Sequence, residues 1–458
     1  MPTTNEIFSS QKKVFAHYFY PFPISLDNVA PAKDYYNVNY LRKSGESFKW
    51  SAQGGYLRQR PLGTTVSSSS NWQILNMETE IRQAIARGIT GFTFDVMSAQ
   101  EAESGGALSN MLAAAAAVDS RFKIIVMPDL TALGTDAAAV EQIVKAWAAS
   151  PAAYRLSDGR LVVSAFDAGL ASAAWWSSIL AELSANGIKV AFVPTFLGWQ
   201  AEAAAFMSIS YGYGDWGTAI VSSGVNMQGA ADIAHTTYGK IFMTPIDPQQ
   251  YRPKDFQFWE AGNSRAFRAA WNGAIEGNSD WVQLVTWNDF SESGEVSPYT
   301  DITLARDIGT GYYNLNGYFA AWFLTGQQPV ITHDVLYYFY RREPVGAAAP
   351  QQSQKAQIVA GTGTAEDQIE LVALLTAPGQ LTISINGKTY TEDAPAGLTS
   401  FKIASQPGTP TFSLSRSGAS VFSFQGGVQI FGQEGLPSGV EDLTYWSGSA
   451  SQNGICSL

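Results

Sequence analysis

The chain has 458 residues, 46% of them hydrophobic and 15% charged, so it carries enough apolar material for a sizeable core and is not globally disordered. A net charge of −11 argues against nucleic acid and anionic membrane as main partners, because phosphate contacts need clustered Lys and Arg. Cys456 stands alone and only His17, His235 and His333 occur, which excludes an intrachain disulfide and a Cys-based zinc site.

In chain order, short apolar runs rich in Val, Ile and Phe fall at residues 14–19, 91–96, 123–127, 161–166, 189–193, 218–221 (the weakest), 240–244 and 282–287. Their apolarity is mostly continuous rather than alternating, as expected of strands buried on both faces in a parallel sheet. Between them lie helix-like stretches at 78–87, 109–118, 136–149, 173–186, 264–276 and 302–324, several stopped by residues such as Gly88, Pro151, Gly187 and Gly277. Eight strands alternating with helices predict an α/β fold, a (β/α)8 TIM barrel over residues 12–343, with an open doubly wound sheet as the alternative. Residues 20–72 are polar, aromatic and helix-poor. They follow the first strand and so fall at the catalytic face of a barrel, where a long loop builds a substrate cleft.

Composition shifts after Pro344. Residues 344–354 read as a Gly/Ala/Pro/Gln linker, and beyond them short alternating runs with turns such as Asn386-Gly387 predict a C-terminal β-sandwich over 355–458. Its role is glycan binding or structural packing, and packing is favoured because no exposed aromatic row stands out. No uninterrupted apolar run reaches membrane-spanning length. The first 13 residues lack a signal peptide's apolar core, so the protein is expected to be secreted or periplasmic with its leader absent from the chain, or else cytoplasmic.

Gly212-Tyr213-Gly214-Asp215-Trp216-Gly217 fits the G-x-G-x-x-G spacing. A strand is expected after it, not the helix that would hold a pyrophosphate, so it reads as a barrel loop. Acidic residues gather at the expected strand ends: Asp95, Asp129, Asp167, Asp247, and Asp289 with Glu292. Barrel enzymes place catalytic groups there. Asp129 and Asp247 read as caps, while Asp95 and Asp167 stay open between cap and site. His17 is the one histidine at a strand end, either a ligand of sugar hydroxyls or a core histidine.

The sharpest local pattern is Thr286-Trp287-Asn288-Asp289-Phe290-Ser291-Glu292-Ser293, two carboxylates three residues apart after the last strand. Glycoside hydrolysis needs one protonated acid for the leaving oxygen and one carboxylate as base or nucleophile. Neighbouring carboxylates push their pKa values apart, which helps keep one protonated, and the flanking Trp287 and Phe290 would keep the site partly dry.

At these residues the chain resembles glycoside hydrolase family 71, the α-1,3-glucanases also called mutanases. The likeness runs from Lys13 to about Trp322. It rests on Val14-Phe15-Ala16-His17-Tyr18, Gly91-Phe92-Thr93-Phe94-Asp95, Val163-Ser164-Ala165-Phe166, Phe192-Val193-Pro194, and Val285-Thr286-Trp287-Asn288-Asp289 with Glu292-Ser293. The family commonly carries Asn at Asp95, often Gly at Ser291, and Tyr and His where this chain has Gly294 and Glu295. The resemblance implies inverting, endo-acting hydrolysis of α-1,3-glucan by Glu292 as acid and Asp289 as base. It implies His17, Asp95, Asp167, Asp215, Trp216, Tyr251, Trp287 and Asn288 as subsite residues, with no metal and no organic cofactor. The expected partner is a polysaccharide or oligosaccharide, and the expected state is a monomer. Two other readings remain: a related barrel hydrolase of another α-glycan such as α-mannan, motivated by Gly294 and Glu295, and a non-catalytic glycan-binding protein. Retention of both carboxylates weighs against the last.

Overall fold

The computed structural model describes residues 3–304 and 308–456. Eight parallel strands form its centre: β1 Lys13–Tyr18, β2 Gly91–Val96, β3 Lys123–Pro128, β4 Leu161–Val163, β5 in two pieces (Val190–Phe192 and Thr195–Phe196), β6 Gly212–Asp215, β7 Ile241–Ile246 and β8 Trp281–Leu284. Each is followed by a helix: α1 Trp72–Ile85, α2 Ala107–Val118, α3 Ala137–Ala148, α4 Ala173–Ala185, α5 Trp199–Phe206, α6 Val221–Ile233, α7 Arg265–Glu276 and α8 Gly311–Thr325. The ladder closes through β5. Its first piece pairs with β4, and beyond Pro194, which has no N–H to give, its second piece pairs with β6. The result is the predicted (β/α)8 barrel.

Strand side chains alternate between two environments. On β1, Val14, Ala16 and Tyr18 pack in the layer between strands and helices. Phe15 joins Ile125, Val162, Val193, Met243 and Trp281 in an apolar plug inside the barrel. Both faces are therefore apolar at this depth, which is why the strands read as unbroken hydrophobic runs.

Two expected elements are corrected. The sixth strand is Gly212–Asp215, while residues 218–220 form a loop into α6. Two of that strand's four residues are glycines, so it lacks a hydrophobic signature; a Cβ on Gly212 would lie 2.1 Å from the Ile241 side chain. Two glycines of the G-x-G-x-x-G spacing thus lie inside a strand, not in a strand-to-helix turn. The last barrel helix starts at Gly311, not at residue 302. Asp301 diverts the chain first, accepting hydrogen bonds from the backbone N–H and hydroxyl of Thr303, an Asx turn that competes with helix. Residues 305–307 of that expected helix lie outside the described residues.

The C-terminal region is a sandwich of two antiparallel sheets. One orders β13 Gly397–Ala404, β10 Gln368–Leu375, β9 Val335–Arg341 and β16 Tyr445–Ser451, with Gly454–Ile455 at its edge; the other orders β12 Lys388–Ala394, β11 Gly379–Ile385, β14 Thr411–Arg416 and β15 Ala419–Gln425. β9 lies before the expected linker and is central to its sheet. Leu336, Tyr338 and Tyr340 face the sandwich core, whereas Val335, Tyr337 and Phe339 pack with the barrel's outer layer.

Buried polar contacts tie the two units. Arg341 Nη1 meets Glu260 Oε2 at 3.1 Å, with both side chains 3% exposed. Asn263 Nδ2 donates to the carbonyls of Phe339 and Gln368, and Arg268 pairs with the buried Glu370.

Candidate active site

Above the apolar plug, at the C-terminal mouth of the barrel, lies a cavity of about 260 Å³. His17 and Phe19 from the end of β1, Asp95 from β2, Asp129 after β3, Trp216 after β6, and Asp289 and Glu292 after β8 line it. The segment after β8 folds back on itself, with Thr286 N donating to Gly294 O at 2.7 Å and Val296 N to Thr286 O at 2.9 Å. Within this loop Asp289 Oδ1 accepts from Ser291 N at 2.9 Å and Ser291 Oγ at 2.7 Å. One oxygen is thereby fixed, and Oδ2 is not spent in this way. Glu292 Oε2 accepts from Gln250 Nε2 at 2.9 Å and from Arg252 Nη2 at 2.7 Å. Its backbone carbonyl accepts from Tyr251 N, which docks the β8 loop on the loop after β7.

The two carboxylates thus sit in unlike settings. Burial, then the nearby charge of Glu292, push Asp289 up to about 6 despite its bonds from Ser291. Glu292 is ion-paired to Arg252. Burial raises Asp95 well above the usual carboxylate range, reinforced by Asp129, Glu101 and Asp289. Its Oδ1 has no hydrogen-bond partner among the described residues. Burial also holds the His17 imidazole down at about 3, so the ring is neutral, and its Nδ1 is likewise unpartnered. The Trp216 ring stands edge-on to His17, with centroids 4.7 Å apart. Among the described residues no group of three His, Cys, Asp or Glu side chains is arranged to hold a metal ion.

Of the sequence-predicted residues, the cavity gathers His17, Asp95, Trp216, Asp289 and Glu292. Asp215 and Asp167 stand close by without lining it. Asp215 ends β6 and accepts from Trp216 N at 3.0 Å, while burial pushes it up to about 6. Asp167 adopts a left-handed φ of 48° in the loop after β4, and burial, then the charge of Asp129, raise its pKa. The other three lie elsewhere. Tyr251 packs with Phe258, Ala356 and Leu443, its hydroxyl donating to Glu441 O. Trp287 is in the core between strands and helices, its Nε1 donating to Glu80 at 3.3 Å. Asn288 brackets the loop after β1, donating to Phe19 O and Phe22 O and accepting from Phe19 N.

Asp129 is both the expected cap and a cavity wall: its Oδ1 accepts from Thr131 N at 2.7 Å. Asp247 begins no helix; it is buried after β7, and burial, then the charges of Asp215 and Glu292, raise it. Arg252, Lys254 and Ser291 were missed by sequence reasoning. The available signal for the first two was a pair of basic residues just after a strand-end aspartate in an acidic chain.

Paired carboxylates at the open end of a (β/α)8 barrel, one of them biased towards its protonated form, are the equipment of a glycoside hydrolase. The chain belongs to glycosyl hydrolase family 71, whose model matches residues 64–458. It is 26% identical over 381 residues to the glucan endo-1,3-alpha-glucosidase agn1 of Schizosaccharomyces pombe, covering 79% of this chain and 88% of that protein. It is 25% identical over 228 residues to the mutanase Pc12g07500 of Penicillium rubens, covering 47% of this chain and 50% of that protein. Among solved structures it resembles the GH99 endo-alpha-mannosidase of Bacteroides thetaiotaomicron in complex with BIS-TRIS-propane, with a TM-score of 0.51 at 16% identity over 68% of this chain and 97% of that one, a likeness of fold alone. This protein is thus a glycoside hydrolase with a glycan substrate. No helix among the described residues is long and apolar enough to cross a membrane.

Proposed function

We propose that this chain hydrolyses α-1,3-linked glucan, cutting within the polymer and inverting the anomeric carbon, with Asp289 and Glu292 as its working carboxylates. The names of its two relatives support the linkage, and the first supports the endo mode. The observation that carries the mechanism is the unequal setting of the pair. Asp289 is buried and pushed up to about 6, whereas Glu292 accepts a charge-assisted bond from Arg252. The shared proton belongs on Asp289. This reverses the order implied by the resemblance: Asp289 protonates the leaving glycosidic oxygen, and Glu292 takes a proton from the water that attacks the opposite face of the sugar. Unpartnered buried atoms on His17 and Asp95 gain sugar hydroxyls as partners when substrate binds. A polymeric substrate of this kind suits a protein that acts outside the cytoplasm, secreted or periplasmic, as a monomer.

Proton NMR of α-1,3-gluco-oligosaccharides during digestion tests the reading. The β-anomer is expected first. Early α-anomer would mean retention and make one carboxylate a nucleophile. Cleavage of α-mannan but not α-1,3-glucan would overturn the substrate, and binding of insoluble glucan without new reducing ends would leave a binding protein. The pH profile adds a second check. Asp289 must carry its proton to act as acid, so kcat/KM is expected to fall as pH rises through about 6. A profile that stays flat well above that value removes Asp289 from the role of acid.

A further inference from the structure

Beside the catalytic cavity lies a second depression of about 210 Å³, lined by Tyr20, Leu26, Trp72, Gln73, Asn76 and Asn110 together with Met77 and smaller residues. The two share a wall: Phe19 lines the catalytic cavity and the next residue, Tyr20, lines this one. The Tyr20 hydroxyl lies in the field of Glu101 and Asp95, and Asp95 is itself a wall of the catalytic cavity. Trp72, Gln73 and Asn76 project from the first turns of α1 on one side. No charged side chain lines the depression, in contrast with its neighbour.

Much of its polar lining is free, while the Tyr20 ring packs in part against the apolar layer between strands and helices. Among the described residues, neither Tyr20 nor Trp72 packs on another aromatic ring, and the Tyr20 hydroxyl, Trp72 Nε1 and the amides of Gln73 and Asn76 have no hydrogen-bond partner. Asn110 gives one amide hydrogen to Gly105 O and keeps its carbonyl oxygen free.

We propose that this depression is a distal sugar subsite, occupied by a glucosyl unit of the α-1,3-glucan chain whose scissile linkage lies at Asp289 and Glu292. The proposal rests on the α-1,3-glucanase reading above. A neutral hexopyranose offers an apolar C–H face and pairs of adjacent hydroxyls. The Trp72 ring covers the first, and the amides of Asn76 and Gln73 donate to and accept from the second. An uncharged lining suits a neutral hexose, whereas a uronic acid would bury its carboxylate without a counter-charge.

The subsite acts only on chains long enough to reach it. The test measures kcat/KM on α-1,3-gluco-oligosaccharides of increasing length and on the polymer, for wild type, Trp72→Ala and Asn76→Ala. Wild-type kcat/KM is expected to rise with length. Trp72→Ala is expected to remove about tenfold on the longer substrates, mostly in KM, and to match wild type on the shortest one cleaved; Asn76→Ala should lose less with the same length dependence. Equal values for wild type and both variants at every length would overturn the subsite while leaving the glucanase reading intact. An equal loss at every length would mark Trp72 as structural and overturn it too. A wild type that cleaves α-1,3-glucan at no length would sink the reading of function, and the proposed occupant with it.

Discussion

Asp289→Asn is expected to lower turnover of α-1,3-glucan by roughly 10²–10⁴-fold, the range removed with a general acid. The same variant should keep most of its activity on an α-1,3-gluco-oligosaccharyl fluoride, because fluoride departs without being protonated. Glu292→Gln is expected to lose both activities, since a good leaving group does nothing for the attacking water. Neither change disturbs the loop greatly: Asn keeps an oxygen to accept from Ser291 N and Oγ, and Gln keeps one for Gln250 and Arg252. Rescue of Glu292→Gln rather than Asp289→Asn by the fluoride substrate would restore the opposite order.

The largest effect on stability is expected at Glu260. Its side chain is 3% exposed and faces the equally buried Arg341. The same carboxylate accepts from Gly262 N at 2.8 Å and from Glu366 N at 3.0 Å, and Tyr445 donates its hydroxyl to it. Glu260→Ala leaves the Arg341 guanidinium buried without its carboxylate, a change that costs about 3–5 kcal/mol. Chemical denaturation reads this directly. A Glu260→Ala protein within about 0.5 kcal/mol of wild type, the range of surface substitutions, would mean that the interface relaxes to hydrate Arg341. Since Glu260 follows β7 and Arg341 ends β9, the test also asks whether barrel and sandwich unfold together.

Much of the barrel was legible because its strands are apolar on both faces and its helices end at recognisable stops. β6 escaped because glycine carries no hydrophobic signal, and the apolar run just after it drew the assignment instead. The meeting of Asp289 and Glu292 in one cavity was legible for a local reason: both residues leave one strand end, three positions apart. Their neighbours were not, because adjacency in sequence does not say where a side chain points. Trp287 and Asn288 directly precede Asp289, yet one is buried behind the barrel wall and the other is consumed in holding the loop after β1. Arg252, by contrast, reaches Glu292 from the loop after a different strand, a meeting that only the closed barrel brings about. β9 lies on the barrel side of the linker read from composition. With partners on both faces it shows no alternation to mark it as a sandwich strand.

The position of β9 bears on how the molecule is made. It lies between β10 and β16, so one of its hydrogen-bonding edges is filled by a strand that comes far later in the sequence. Until that strand is synthesised, Val335-Leu336-Tyr337-Tyr338-Phe339-Tyr340-Arg341 offers an unpaired apolar edge. The closing step of folding therefore waits until β16 has been synthesised. A message cut short before β16 would yield a chain carrying an aromatic ribbon ready to pair with its neighbours, a route to aggregation.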